Sequence, residues 1–384
     1  MKIPTPTTGD ISLYFHIPFC RKKCPYCHFF VIRDDLEKQK ALLCALVNEI
    51  SQKEDLIRDK KIISIYFGGG TPFLFETSFL KKVVQKIYAC KTKISNDIEI
   101  TIEANPEDIN IEKIKHLREM GFNRISIGVQ SLDDRLLKLL GRSHGKDTIL
   151  RALNTVYEGG IENISIDLMY DVPNQTISSW QNTLNQLEKL PISHISLYNL
   201  TIEPNTAFYR KKDELTKMRP TEDISKEMLM KAITSFEKLG LIRYEISAFA
   251  RNDKYSRHNV GYWLNRTSIG YGPSAFSYYN DERMQNCCSF AKYINAILKK
   301  ESPIDFVDLI SFSEKIKEAF IISLRLIQGV NITSFENRYG KLPSDAKEAI
   351  EKLHIEGYLQ KSKKNINLTD KGLLFYDSVA SEII

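Results

Sequence analysis

The stretch Ser12 to Phe30, SLYFHIPFCRKKCPYCHFF, sets Cys20, Cys24 and Cys27 in a C-x3-C-x2-C array directly after a short apolar strand pattern. Three thiols this close share one task, and four tasks compete for them. A disulfide framework needs pairing partners and an oxidising compartment. Zinc needs a fourth ligand, for which His16 and His28 are the candidates. Cys24-Pro25-Tyr26-Cys27 alone has the form of a dithiol string whose first cysteine is activated by a helix start, which leaves Cys20 without a role. An iron-sulfur cube takes four ligands, so three cysteines leave one iron open to a small molecule.

Outward from this array the chain alternates. Strand patterns fall over 12–17, 62–67, 98–103, 124–129, 164–168 and 194–200, and each of the first five is followed by a helical apolar face. The first helix carries Leu36, Leu42, Leu43, Leu46, Val47 and Ile50 behind the caps Asp34 and Asp35. Later helices are expected over 77–89 with Thr77 as cap, over 110–120 with Gly121 as the stop, over 147–157, and over 178–190 before Pro191. Ser131 and Asp134 suggest a capping box for a short helix that Gly141 ends. Six such units predict a parallel sheet that right-handed crossovers curl into a partial (β/α)6 barrel. Barrels of this kind carry their chemistry at the carboxyl ends of the strands. There the unusual motifs fall: the cysteine loop, Gly68-Gly69-Gly70-Thr71-Pro72, Glu103-Ala104-Asn105-Pro106 and Gln130-Ser131.

Beyond Leu200 the alternation fades into a polar segment, a helix over 223–239, a strand over 242–249 and an aromatic, glycine-rich stretch from Arg251 to Tyr279. From Phe312, three helices, a two-strand wing and a last helix read as a winged-helix-like unit. The expected division is 1–205 for the barrel, 206–305 for an extension and 306–384 for the winged-helix-like domain. With 42% hydrophobic and 27% charged residues, the composition is that of a soluble globular protein. The net charge of +6 is spread over short clusters such as Arg21 to Lys23, which read as solvated surface. No apolar run reaches the length of about 18 residues that a membrane helix needs, and MKIPTPTTGD lacks the apolar core of a secretory leader. Seven cysteines, an odd number with Cys44, Cys90, Cys287 and Cys288 outside the array, suit a reducing compartment, so a cytoplasmic location is expected.

The array and the run Tyr14-Phe15-His16-Ile17-Pro18-Phe19-Cys20 resemble the radical S-adenosylmethionine (SAM) superfamily. Within it, they resemble the subgroup of oxygen-independent coproporphyrinogen III oxidase (HemN) and the heme chaperone HemW. The resemblance implies a [4Fe-4S] cluster on Cys20, Cys24 and Cys27. It implies a SAM site made by Tyr14 and Tyr26 as walls, by Gly69, Gly70 and Thr71 at the amino group, by Glu103 at the ribose, by Gln130 and Asp167, and by Arg142 at the methionine carboxylate. Read without it, the glycine triplet is a tight turn, because it lacks the Lys-Ser/Thr of a phosphate loop.

Two features resemble HemW rather than HemN. Phe29 stands where HemN carries a further cysteine, and the array begins too early for HemN's amino-terminal extension. Arg257-His258-Asn259-Val260-Gly261-Tyr262-Trp263 matches the HNxxYW motif of the chaperone, which implies His258 as a heme-iron ligand with Tyr262 and Trp263 over the macrocycle. Asp171 and Asn174 depart from the family's usual glycines, and Asn tolerates the positive φ such a turn needs. The implied function is binding and delivery, with no catalytic residue. Heme, an acceptor hemoprotein and an electron donor such as flavodoxin or ferredoxin are the partners. The alternatives are oxidative decarboxylation of coproporphyrinogen III and radical modification of RNA, the latter resting only on the winged-helix-like tail and the mild positive charge. A nucleic-acid partner is not expected.

Overall fold

The computed structural model describes residues 3, 7 and 9–384, so most of the stretch read for a leader lies outside the described residues. Strands β1 (Asp10–Ile17), β2 (Lys61–Gly69), β3 (Lys93–Ala104), β4 (Arg124–Gln130), β5 (Asn163–Tyr170) and β6 (His194–Asn199) pair in parallel and in sequence order. Helices α1 (Leu36–Gln52), α2 (Thr77–Ala89), α3 (Ile111–Glu119), the pair α4 (Asp134–Leu139) and α5 (Lys146–Glu158), and α6 (Ile177–Gln186) make the crossovers. Local chemistry sets their ends. Asp35 accepts the Lys38 N–H at the start of α1 and Asn110 accepts the Lys113 N–H at the start of α3. A reciprocal Thr176–Ser179 capping box opens α6.

Two expected caps are corrected. Glu76 precedes α2 without a side-chain cap, and Thr77 is already helical. The Ser131–Asp134 box does not form. Gln130 leaves β4 with φ +66°, and α4 starts two residues later than the box would place it, capped by Asp133. Ser131 Oγ instead accepts the Asp133 N–H, and Asp134 accepts that of Lys146.

After α7 (Glu222–Lys238) the strand expected over 242–249 is two short antiparallel strands, β7 (Ile242–Glu245) and β8 (Ala248–Ala250), with β8 paired to β6. The stretch without a clear period holds α8 (Arg257–Trp263), β9 (Thr267–Tyr271) and β10 (Phe276–Tyr279); β11 (Glu282–Asn286), α9 (Phe290–Leu298) and β12 (Ile304–Asp308) follow. β9 runs parallel to β1 on its outer side, and β10, β11 and β12 continue antiparallel. The result is one 12-stranded sheet, in order β12-β11-β10-β9-β1-β2-β3-β4-β5-β6-β8-β7, whose ends do not meet: a partial barrel.

The middle segment therefore widens the barrel sheet at both edges, and a boundary at 305/306 would cut β12. The break lies between Asp308 and α10 (Phe312–Leu324), which a Ser311–Glu314 capping box opens. With α11 (Ile332–Tyr339), α12 (Ser344–Ile355), a three-stranded sheet of β13 (Val330–Asn331), β14 (Leu359–Lys361) and β15 (Asn365–Leu368), and α13 (Tyr376–Ile383), this unit has its own core around Phe320, Phe335, Leu353 and Ile366.

The main core lies outside the barrel. Ile11, Leu13, Phe15, Ile65, Phe67, Ile100, Ile125 and Ile166 project from the strands onto the helices and are buried there. The alternate positions are polar. β1 turns Ser12, Tyr14 and His16 inward, β3 turns Glu99, Thr101 and Glu103, β4 Arg124 and Ser126, and β6 His194 and Ser196. Parallel sheets covered on both faces are commonly apolar on both; this one has a polar lumen.

Candidate cofactor site at the carboxyl ends of the strands

The three thiols sit on a loop fastened at several points. Phe19–Cys20 pairs with Ile32–Arg33, the Asp34 N–H reaches the Cys20 carbonyl, and the Cys27 N–H closes a turn onto the Cys24 carbonyl at 3.1 Å. His16 Nε2 donates to the Phe30 carbonyl at 2.9 Å while its Nδ1 meets the Tyr14 hydroxyl at 3.2 Å, so both ring nitrogens serve the protein. His16 is thereby a brace, not a fourth zinc ligand. His28 is exposed against Phe29. Among the described residues no three His, Cys, Asp or Glu side chains converge on a position for a single metal ion. A cube, whose cysteines stand at separate corners, asks for no such convergence. All three thiols are unpaired, and burial pushes Cys20 up to about 11 and raises Cys27.

Polar groups from the strand ends reach these sulfurs. Thr71 Oγ1 lies 3.6 Å from Cys20 Sγ and accepts the Asn105 amide at 2.9 Å. Arg142 Nη1 points at Cys24 Sγ from 3.4 Å, and its Nη2 donates to Asn105 Oδ1 and to the Gly128 carbonyl, both at 2.6 Å. Hydrogen bonds to cluster sulfurs tune such centres. Arg142 is therefore inside the site and not a surface charge. Its Nε has no partner among the described residues. Gly141 lets it arrive there: it holds φ +71°, and a Cβ would lie 2.6 Å from Pro25 Cδ of the cysteine loop.

Below the loop, Glu103 accepts the Tyr66 hydroxyl at 2.7 Å and the Gly69 N–H at 3.1 Å. Burial, together with nearby Asp167, pushes Glu103 up to about 7 against those two hydrogen bonds; burial pushes Asp167 up to about 6. The glycine segment has a reason of its own. A Cβ on Gly69 would lie 2.6 Å from the His16 ring, and one on Gly70 2.6 Å from the Phe19 carbonyl oxygen. The Gly70 and Thr71 N–H groups are spent on the Ile17 and Phe19 carbonyls. What the segment presents to an ammonium group is thus carbonyl oxygen. Tyr26 packs on Phe208 beside Cys24 and Arg142, and Tyr14 stacks on Tyr66 with centroids 6.1 Å apart. Gln130 is buried at the end of β4. These residues share one end of the lumen, and the donor set fits a sulfur-bound cluster and a zwitterionic, ribose-bearing ligand.

His258 lies beneath these residues, its ring centroid 4.9 Å from that of Tyr66 and 6.2 Å from that of Tyr14. It sits on α8 at the amino end of the lumen, 1% exposed, with Nδ1 3.0 Å from Ser64 Oγ and Nε2 2.9 Å from the Tyr262 hydroxyl. Ser64 donates onward to Ser12 at 3.0 Å, so Nδ1 carries the proton and Nε2 accepts. Burial, with Arg266 and Arg124 nearby, drives the imidazole down to about 3. The open nitrogen expected for heme iron is not there: iron would first have to displace one of two hydrogen bonds. Nor do Tyr262 and Trp263 share a face, since Trp263 lies under Arg325 of the C-terminal domain, 4.3 Å from ring to guanidinium. The sequence reading gave Asn105, Tyr66 and Arg124 no role of their own; the period-two polar pattern along the strands is the signal that marks them.

A family model for the Radical SAM superfamily matches residues 14–187, and one for the HemN C-terminal domain matches residues 310–375. The protein named heme chaperone HemW from Bacillus subtilis is 33% identical over 373 residues, covering 96% of this chain and 97% of that protein. Its namesake from Lactococcus lactis is 30% identical over 97% of each. Among solved structures, coproporphyrinogen III oxidase (HemN) from Escherichia coli superposes with a TM-score of 0.84 at 25% identity, over 97% of this chain and 89% of that one. A Cys array on the loop after the first strand, carboxylates on the third and fifth, and relatives matched over nearly their whole length place the chain in the heme chaperone HemW family of the radical SAM superfamily.

Proposed function

We propose that the protein binds heme as cargo and passes it to an acceptor hemoprotein. In this reading it carries a [4Fe-4S] cluster on Cys20, Cys24 and Cys27, and SAM among Tyr14, Tyr26, Gly69, Gly70, Thr71, Glu103, Gln130, Arg142 and Asp167. The observation that carries this reading is the reach of the likeness to the Bacillus subtilis relative, 33% identity overall in an alignment that takes in barrel, added strands and C-terminal unit. When bound, a reduced cluster supplies an electron to SAM; the protein holds, orients and excludes water. Arg142 suits the methionine carboxylate because its guanidinium, fixed beside Cys24 by its Nη groups, keeps its charge and an unpartnered Nε in the site. Lys22 and Lys23 are exposed within the cysteine loop, beside Arg21, which is paired with Asp108, and this edge favours an acidic electron donor such as flavodoxin or ferredoxin. Free thiols and the absence, among the described residues, of a helix able to cross a membrane support a cytoplasmic site of action.

A second reading, decarboxylation of coproporphyrinogen III, is favoured by the structural match to HemN. Exposed Phe29, where that enzyme carries a cysteine, weighs against it. Anaerobic reconstitution separates the two. The expected outcome is a heme absorbance band that disappears on transfer to an apo-hemoprotein, with no protoporphyrinogen formed from coproporphyrinogen and SAM. Oxidase turnover by wild-type protein would reverse the assignment.

A further inference from the structure

Arg124 is a charge in the lumen that nothing above employs. It is 2% exposed, and its Nε has no partner among the described residues. On β4 it lies in register with Thr101 of β3, which is in register with Tyr66 of β2; the Thr101 hydroxyl is also buried without a partner. Glu103 follows two residues above Thr101 on the same face. An uncompensated buried guanidinium costs several kcal/mol, so its surroundings must answer its charge.

Of the carboxylates near it, Glu99 is answered already, accepting the N–H groups of Arg257 and His258 at the start of α8. Glu103 and Asp167 accept neutral donors too, the Tyr66 hydroxyl and Gly69 N–H on the one and Ser196 and Ser126 on the other, and both also feel the charge of Arg124 through space rather than through a hydrogen bond. We propose that Arg124 is a positioning residue for the SAM site: its buried charge, one layer below Glu103 on the same lumen face, biases Glu103 and Asp167 toward their ionised forms, so that both can receive a cationic, hydroxyl-bearing ligand. The inference rests on the SAM reading of that site.

The other groups facing this pair are neutral donors that favour the carboxylates without supplying charge, tyrosines that do not, and one committed cation. Glu103 meets Tyr66 and the Gly69 N–H from β2, Tyr14 from β1, Tyr262 from α8 and Tyr198 from β6. Asp167 meets Ser196 and Tyr198 from β6, Ser126 from β4, and the charge of Arg142. His194 and His258 are held neutral by burial. Arg142 is already committed to Asn105, Gly128 and Cys24. Arg124 is the remaining cation that acts on both.

Two readouts on cluster-loaded, full-length protein test this. The first is the infrared carboxyl band followed against pH, assigned by its loss in Glu103→Gln and Asp167→Asn. The second is SAM affinity by calorimetry over the same range. Wild-type bands should titrate near pH 7 and 6. In Arg124→Met both midpoints should rise by about a unit, SAM affinity at neutral pH should fall about tenfold, and alkali should restore it. Arg124→Lys should behave as wild type. If Arg124→Met does not fold, Arg124→Gln takes its place. Identical titrations in wild type and the neutral variant overturn the role given to Arg124. A wild type that binds no SAM at any pH overturns the reading on which it rests.

Discussion

Arg142 joins the tips of β3 and β4 to the cysteine loop, and a single point charge cannot reproduce its separate bonds to Asn105, Gly128 and Cys24. Arg142→Lys is expected to lower SAM affinity by about 1 to 3 kcal/mol in calorimetry while the far-ultraviolet spectrum stays native. His258 makes a different prediction. Its pKa is depressed in the fold to about 3 from an unfolded value of 6.5. Between those values the unfolded chain binds a proton that the native state does not. Stability is therefore full above pH 6.5 and lost as the pH falls. Relative to His258→Gln, wild type should lose about 1.4 kcal/mol per unit below pH 6.5 in urea unfolding. The identities of both residues were plain in the sequence, but their roles were not equally so. Arg142 was named through the family resemblance alone. The two partners of His258 come from Ser64, far away in the chain, and from Tyr262 one turn on, and only folding reveals that they use up the ring.

Strands and long helices were legible because their faces repeat over many residues. What escaped was short or held by distant groups. Helix α8 is seven residues long, and its first N–H groups are received by Glu99 of β3 as well as by its own cap Ser256. Glu99→Ala is expected to raise amide hydrogen exchange across α8 and to cost about 1 to 3 kcal/mol, since it removes a charged acceptor from two buried donors. The turn after β5 was read correctly in kind. Asp171 and Asn174 hold φ +63° and +62°, as the glycines usual in the family would. Asp171 is also paired with Arg219, and the Asn174 N–H reaches the Met218 carbonyl at 2.7 Å, so the turn is tied to the segment after β6. Asn174→Gly should be close to neutral in denaturant unfolding, whereas Asn174→Ala should cost about 1 to 2 kcal/mol for a left-handed backbone with an ordinary Cβ.

The C-terminal unit leans on the base of the barrel. Ile327 N–H and Ile246 N–H exchange bonds with Tyr244 and Arg325, Arg325 pairs with Glu245 and covers Trp263, and Tyr339 donates to the Leu264 carbonyl. Removing residues 310–384 would bare the cluster of Tyr244, Ala248, Tyr255 and Val260 around Leu326. The truncated chain is expected to bind an apolar dye and to exchange α8 amides faster, while the three cysteines still take up iron and sulfide. Loss of iron uptake on truncation would mean that the unit supports the cofactor end as well. The three-part division read from the sequence missed that the middle part belongs to the barrel, because strands joining a sheet at both edges leave no mark in composition. Finally, α8 stoppers the lumen at its base while the cysteine loop rims its other end. A container closed below is loaded from its rim. Any guest beside Glu103 can enter and leave only past the cysteine loop, so whatever occupies that rim governs the residence time of what lies beneath it without touching it.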